Sequence, residues 1–165
     1  MRGKVWVFGN NIDTDAIEPT KYAGVPRDVL LKHVLEVNNP RFPLEIKPGD
    51  IIVAGSNFGC GSSREGAPTA LKEMGVGAIV AESFARIFFR NSIAIGLPAI
   101  VCHDAAISFI DGEEIEIDLA GSQVANVTRG FSLKARPLPE PMLAVLSRGG
   151  ILPLLKEIGQ KNKLK

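Results

Sequence analysis

Three short apolar runs constrain this chain more than any other feature: Ile51-Ile52-Val53-Ala54, Ala78-Ile79-Val80-Ala81 and Ala99-Ile100-Val101-Cys102. Each is uncharged and bounded by turn residues, the pattern of a strand buried on both faces. Between the first pair, Ala67, Ala70, Leu71 and Met74 fall at helical spacing, with Gly75 at the expected stop. Between the second pair, Phe84, Ile87, Phe88, Asn91 and Ile95 predict another helix, ended by Gly96 and Pro98. Strand, helix, strand, helix, strand predicts parallel strands joined by right-handed crossovers.

The flanking segments read more variably. Val5-Trp6-Val7-Phe8 predicts a strand closed by Gly9-Asn10-Asn11. Pro26 opens a predicted helix through Val37, with Val29, Leu30, Val34 and Val37 on one face and a stop at Asn38-Asn39-Pro40. In the last third, Ile115, Ile117 and Leu119 alternate with Glu114, Glu116 and Asp118, which predicts a half-exposed antiparallel strand. Pro137, Pro139 and Pro141 form a stiff connector before two short helical patterns around Gly149-Gly150. Lys161 to Lys165 reads as a frayed, solvated tail. The expectation is one α/β domain over residues 1–165, with parallel βαβ units and additional antiparallel strands in a mixed sheet.

Composition narrows the function classes. The 165 residues carry 19 basic and 18 acidic side chains, a balance with no field to attract nucleic acid or an anionic membrane. No apolar run approaches the roughly 20 residues that cross a bilayer. The start, Met1 to Trp6, enters folding pattern with no apolar signal ahead of it, so a reduced cytoplasmic protein is expected. Only Cys60 and Cys102 are present, without a Cys-x-x-Cys pair, which is too few ligands for an iron–sulfur cluster or a structural zinc.

The chemistry concentrates in the glycine-rich stretch Gly55-Ser56-Asn57-Phe58-Gly59-Cys60-Gly61-Ser62-Ser63-Arg64-Glu65. It lies between a buried strand and a helix, where α/β proteins bind ligands. Glycines allow close backbone approach, a helix N-terminus favours an anion, and Arg64 presents a fork matched to carboxylate or phosphate. These parts suit a small polyanion, with a serine placed for proton transfer. Ser62-Ser63-Arg64-Glu65 also fits a capping box, Ser62 capping and Glu65 reaching back, and the two roles are compatible. Pro68 argues for a helix starting only near that residue, leaving Ser62 to Glu65 in a ligand-facing turn.

Competing motifs fail letter by letter. A dinucleotide fingerprint needs glycine where Arg64 stands, a Walker loop needs a lysine, and a nucleophile elbow on Ser63 needs glycine where Glu65 stands. Cys60 as a nucleophile would have only His33 or His103 as base, neither in a recognisable context. Both histidines read as surface or satisfied structural residues, Asp13 and Asp15 fit a turn, and Arg86 and Arg90 fit structural pairing.

These residues resemble the swivelling domain of aconitase-type hydro-lyases. Asn57 to Glu65 followed by Ala67-Pro68 is similar to its central motif, Asn11-Ile12-Asp13-Thr14-Asp15-Ala16-Ile17 to its first, and Glu82-Ser83-Phe84-Ala85-Arg86-Ile87-Phe88 to its third. The motifs come in the family's order and spacing across most of the first hundred residues. The resemblance implies a β/β/α swivelling domain forming a stand-alone small subunit. Its partner would be a large subunit that carries a [4Fe–4S] cluster, with no cofactor bound by this chain. It implies Ser62 as the proton-removing base, Asp15 as an active-site aspartate with Asp13 a weaker match, and Ser63 and Arg64 as carboxylate-binding residues.

In this family the segment after the first motif helps choose the substrate. Here it reads Pro19-Thr20-Lys21-Tyr22-Ala23-Gly24-Val25, and Gly24 stands where members acting on tricarboxylates place an arginine. Tyr22, Ala23, Gly24 and Val25 would then form an uncharged wall suited to an alkyl group, and an unpaired third carboxylate would be costly there. The implied substrate is a small dicarboxylate, isopropylmalate, with homoaconitate or a methylated malate as alternatives. Lys21 or Arg27 would weaken this reading if either reached the site. Two positions depart from the family pattern. Glu18 replaces an apolar or small hydroxyl residue, and Gly66 replaces the histidine that commonly follows Arg-Glu. A non-catalytic anion-binding module would use the same loop without doing chemistry.

Overall fold

The computed structural model describes residues 1–62 and 64–163, with side chains to residue 160. Strands β1 (Arg2–Phe8), β2 (Ile51–Ala54), β3 (Ala78–Ala81) and β4 (Ala99–Val101) run parallel. Strands β5 (Glu114–Asp118), β6 (Gln123–Asn126) and β7 (Phe131–Lys134) pair antiparallel. All seven form one sheet in the order β4-β3-β2-β1-β5-β6-β7, with β1 joining the halves.

Alternation along the central strands separates two cores. Phe8, Ile52, Ala54, Ile79 and Ala81 face one core. It is completed by residues from α1 (Thr14–Ile17), α2 (Arg27–Leu31), α3 (Phe42–Glu45), α4 (Gly66–Glu73) and α5 (Arg86–Ala94). Val5, Ile51, Val53, Ala78 and Val80 face the other core, together with Ile115, Ile117 and Val124 of the antiparallel half and Ala105 of α6 (Ala105–Ser108). Strands at opposite ends of one sheet share a core, so the sheet curls and gives the β/β/α layering. This matches the expected mixed α/β class, including the exposed face of Glu116 and Asp118 on β5. The proline connector leads into α7 (Glu140–Ser147) and α8 (Ile151–Lys163) as expected.

Three expectations need correction. The helix predicted from Pro26 to Val37 stops at Leu31, and Leu35 adopts φ 58°. There its side chain is fully buried and its N–H donates to the Ala16 carbonyl at 2.8 Å. Tertiary burial and a long-range hydrogen bond outweigh helical continuation. The lysine-rich end is helical through Lys163, and the last two residues lie outside the described residues. The capping box does not form: α4 starts at Gly66, and its N-cap Glu65 makes no side-chain capping bond. The helix does begin near Pro68, at Gly66, and leaves Ser62, Arg64 and Glu65 ahead of it as expected; Pro68 sits in the first turn, where a backbone N–H has no helical partner to lose.

The glycine loop is held down by aromatic packing. Phe58 is fully buried and meets Phe84 and Phe88 at ring-centroid distances of 6.1 and 5.3 Å. Gly59 has φ 76°, and a Cβ there would lie 2.1 Å from the Phe88 ring. Gly59→Ala should therefore lose about 2 kcal/mol or more through backbone strain and overpacking. Gly9→Ala, whose Cβ would meet nothing within 4 Å, should change stability by no more than about 0.5 kcal/mol. Denaturant melts of the two variants test this contrast.

Candidate active site

Parallel register between β1 and β2 pairs Val7 with Val53 and Phe8 with Ala54, so both strands deliver their following loops to one edge. The loops are then joined step by step. Gly55 N–H donates to Gly9 O at 3.2 Å, Asn11 N–H to Ser56 O at 2.8 Å, Gly59 N–H to Ile12 O at 2.7 Å and Thr14 N–H to Cys60 O at 2.8 Å. Asparagine side chains supply two more links, Ser56 N–H to Asn10 Oδ1 at 2.7 Å and Asn57 Nδ2 to Asn11 Oδ1 at 2.9 Å. The segment after β3 joins through Phe58 N–H to Ser83 O at 3.0 Å and Ala85 N–H to Phe58 O at 2.9 Å. The three sequence motifs therefore meet in one place.

Asp13 caps α1, its Oδ1 accepting from Ala16 N–H at 2.7 Å. This orients Thr14, which is buried yet polar, toward the glycine loop. Thr14 Oγ1 lies 3.2 Å from the Ser62 hydroxyl and donates to Ser62 O at 3.3 Å. Ser62 itself is exposed, just ahead of α4. Ser63 lies outside the described residues.

Arg64 is fixed by neighbours from the first motif. Its Nη1 donates to Asp15 Oδ1 at 3.0 Å and to the Glu18 carbonyl at 2.9 Å, and its Nη2 to Thr20 Oγ1 at 2.8 Å. A guanidinium has five N–H donors, so two stay uncommitted among the described residues, Nε–H and one Nη2–H. Asp15 also accepts from the Thr20 N–H at 2.9 Å and from the Thr20 hydroxyl. The Thr20 bonds, then Arg64, pull its carboxyl down to about 2. The Asp15 carboxylate is thereby favoured in its ionised form, hydrogen-bonded to both Thr20 and Arg64.

Tyr22 to Val25 continues directly from the Thr20 that clamps Arg64, so the link between this segment and the glycine loop runs through Thr20. Ala23, Gly24 and Val25 are exposed, and a Cβ at Gly24 would meet nothing within 4 Å. Tyr22 stacks on His33 with centroids 3.7 Å apart, and His33 Nδ1 lies 2.5 Å from Glu36 Oε2. His33 is thus a satisfied structural histidine. Lys21 is drawn to Glu36 at 2.9 Å, and Arg27 to Glu18 at 2.8 Å and Glu73 at 2.5 Å. Both cations are paired with carboxylates, and Lys21 Nζ also lies 4.8 Å from the centre of the Tyr22 ring. Arg86 and Arg90 are exposed on α5 without an ion pair among the described residues, contrary to the pairing expected for them. The sequence reading did not single out Thr14 and Thr20. Thr14 lay in plain view between two aspartates, but nothing local marked Thr20 as a partner of both Asp15 and Arg64.

The chain's own residues do not suit an iron–sulfur cluster. Cys60 is half-buried in the loop, whereas Cys102 is buried at the end of β4, near the His103 and Lys134 carbonyls at 3.7 and 3.9 Å. Burial pushes the Cys102 thiol up to about 11. Among the described residues no group of three or more His, Cys, Asp or Glu could hold a metal ion, and no helix is long and apolar enough to cross a membrane.

Residues 10–104 match the aconitase C-terminal domain. The chain is 48% identical over 162 residues to 3-isopropylmalate dehydratase small subunit 1 of Methanopyrus kandleri, covering 98% of this chain and 95% of that protein. It is 51% identical over 153 residues to the methanogen homoaconitase small subunit of Methanothermobacter thermautotrophicus, covering 92% and 88%. The crystal structure of 3-isopropylmalate dehydratase from Methanocaldococcus jannaschii superposes with a TM-score of 0.90 at 37% identity, covering 98% of this chain and 96% of that one. The chain therefore belongs to the aconitase C-terminal domain family, among its dehydratase small subunits.

Proposed function

We propose that this chain, acting as one swivelling unit over residues 1–165, is the small subunit of a hydro-lyase. The reaction would interconvert 2- and 3-isopropylmalate by dehydration and rehydration, as in leucine biosynthesis. The observation that carries the reading is the Arg64 clamp beside Ser62. A cation with uncommitted donors stands two residues from a hydroxyl, on a loop stitched to both neighbouring motifs.

In this reading Arg64 and Ser63 hold a substrate carboxylate, and Ser62 Oγ takes the proton from the carbon next to it. A serine is a weak base in water. Thr14 Oγ1, 3.2 Å from Ser62 Oγ, can turn its one proton from the Ser62 carbonyl to the alkoxide, the positive end of α4 favours that charge, and cover by a partner subunit excludes solvent. Asp15 and Thr20 keep Arg64 aimed, and the same groups run in reverse when water is added back. The [4Fe–4S] cluster of a large subunit would supply Lewis-acid activation of the leaving hydroxyl. The ligand-poor sequence of this chain and the small-subunit names of its relatives support that division. Two unpaired cysteines suit the reducing cytoplasm in which we place the complex.

Isopropylmalate is favoured over homoaconitate because the wall from Tyr22 to Val25 is uncharged and its cationic neighbours, Lys21 and Arg27, are tied to carboxylates. Homoaconitate remains the second reading on the strength of the 51% identical relative named for that activity.

Anaerobic reconstitution with a cluster-loaded large subunit tests the proposal, with isopropylmalate, homoaconitate and citraconate assayed in parallel. Ser62→Ala should lower kcat by about a hundredfold to ten-thousandfold without impairing assembly. A fully active variant would remove Ser62 from the role of base. Asp15→Asn should lower kcat/KM by about a hundredfold through misplacement of Arg64. It should leave the acid limb of the pH profile where the wild type has it, because Asp15 titrates near 2, well below that limb. For stability the sign is the usual one for a depressed carboxyl. The contribution of Asp15 is complete above its ordinary value of 3.8 and is lost as pH falls through about 2. Because water screens this exposed pair, the stability difference between the wild type and Asp15→Asn should be small and should shrink as pH falls through about 2 in acid titrations of the two isolated chains.

A further inference from the structure

Glu18 and Gly66, the two departures from the family pattern, meet in space. The Glu18 carboxylate lies against the first residue of α4, where a Cβ on Gly66 would fall 2.0 Å from Glu18 Oε2. A side chain at position 66 and a carboxylate at this spot exclude one another. Held there, Glu18 Oε1 accepts from Arg27 Nη1 at 2.8 Å, while Glu73, the last residue of α4, accepts from Arg27 Nε at 2.5 Å. The backbone carbonyl of the same Glu18 accepts from Arg64 at 2.9 Å. One residue thus stands between two guanidiniums, holding Arg64 by its main chain and Arg27 by its side chain.

Arg27 is the first residue of α2 and directly follows the segment from Tyr22 to Pro26. That segment is fastened at its near end by the Tyr22–His33 stack and the Lys21–Glu36 pair. Arg27 fastens its far end. The Glu18 side chain is only 19% exposed and that of Glu73 is 42% exposed, so Glu18 is the better-shielded anchor. Released from both, the Arg27 guanidinium would start within one glutamate side chain of Arg64. It would then be able to pair with a carboxylate that the uncharged wall leaves unpaired.

We propose that Glu18 is a specificity-determining residue: by holding Arg27 against α4 it fixes the wall and keeps a second guanidinium from serving a third substrate carboxylate. Gly66 is what makes room for it. The inference rests on the reading of Tyr22 to Val25 as the substrate wall.

The test compares the reconstituted wild-type complex with Glu18→Gln/Glu73→Gln, in which both anchors are neutral, and with the same pair plus Arg27→Ala. Releasing Arg27 should raise the kcat/KM ratio of a tricarboxylate (homoaconitate) to isopropylmalate by about tenfold or more. The change should come mainly from the tricarboxylate KM, and adding Arg27→Ala should return the ratio to its starting value. A ratio that does not move, or a rise that survives Arg27→Ala, overturns the proposal. Hydrogen exchange of the isolated chain supplies a readout that needs neither partner nor turnover. Peptides covering 19–31 should exchange faster in Glu18→Gln/Glu73→Gln and in Arg27→Ala than in the wild type, and unchanged exchange overturns the clamp. Wild-type turnover of neither substrate would sink the functional reading and the specificity role with it, while the exchange experiment still decides whether Glu18 and Arg27 hold the segment.

Discussion

The parallel pairing of β1 with β2 is the constraint on which the rest of the molecule depends. Because the strands point the same way and end together, the loops after Phe8 and Ala54 emerge side by side. They continue the pairing with backbone and asparagine hydrogen bonds beyond the sheet, as far as Thr14 and Cys60. The close approach requires a residue without a side chain at Gly55, where a Cβ would fall 2.0 Å from Asn10 Oδ1. An antiparallel pairing of the same strands would have sent the two loops to opposite ends of the sheet and separated Ser62 from Thr14.

On that frame the charged residues orient more than they stabilise. The Asp15 side chain is 59% exposed and that of Arg64 34%, so water screens their pair and its share in folding is small. Its effect is geometric: together with Thr20 and the Glu18 carbonyl it holds the guanidinium in place and leaves two of its donors uncommitted among the described residues. Orientation of this kind would let a short, exposed loop serve as the binding surface proposed for it without a deep cavity of its own. A partner that closes over it would strengthen each of these contacts by removing water.

The same economy explains the two unusual residues. A glutamate after the first motif would be a poor choice where the chain turns back on α4, were it not for Gly66. With that side chain missing, the carboxylate finds both space and a cation, and the two changes become one local arrangement. They are 48 positions apart in the chain, and without the fold nothing connects them.

Much of the architecture was legible in the chain because its signals are local. Short uncharged apolar runs bounded by turn residues read as buried strands, the Glu-Ile-Glu-Ile-Asp alternation reads as a strand with one wet face, and three motifs in register marked the family. Shared cores were not legible. The turn that ends α2 exists because Leu35 has a pocket and Ala16 has a carbonyl to offer, and β6 and β7 carry too few apolar residues to announce themselves. The glycine loop, Ser62 and Arg64 were visible as chemistry, but the capping pattern there was a coincidence of letters that the clamp on Arg64 overrides. By itself, then, the sequence determined the parallel strands and β5, the glycine loop in which candidate groups gather and the family the chain resembles, since each depends on neighbours a few positions away. Only the tertiary structure brought Thr14, Thr20 and Glu18 against Ser62 and Arg64 and paired Lys21 and Arg27 with carboxylates, because hydrogen bonds and ion pairs are set by distance in space and not along the chain.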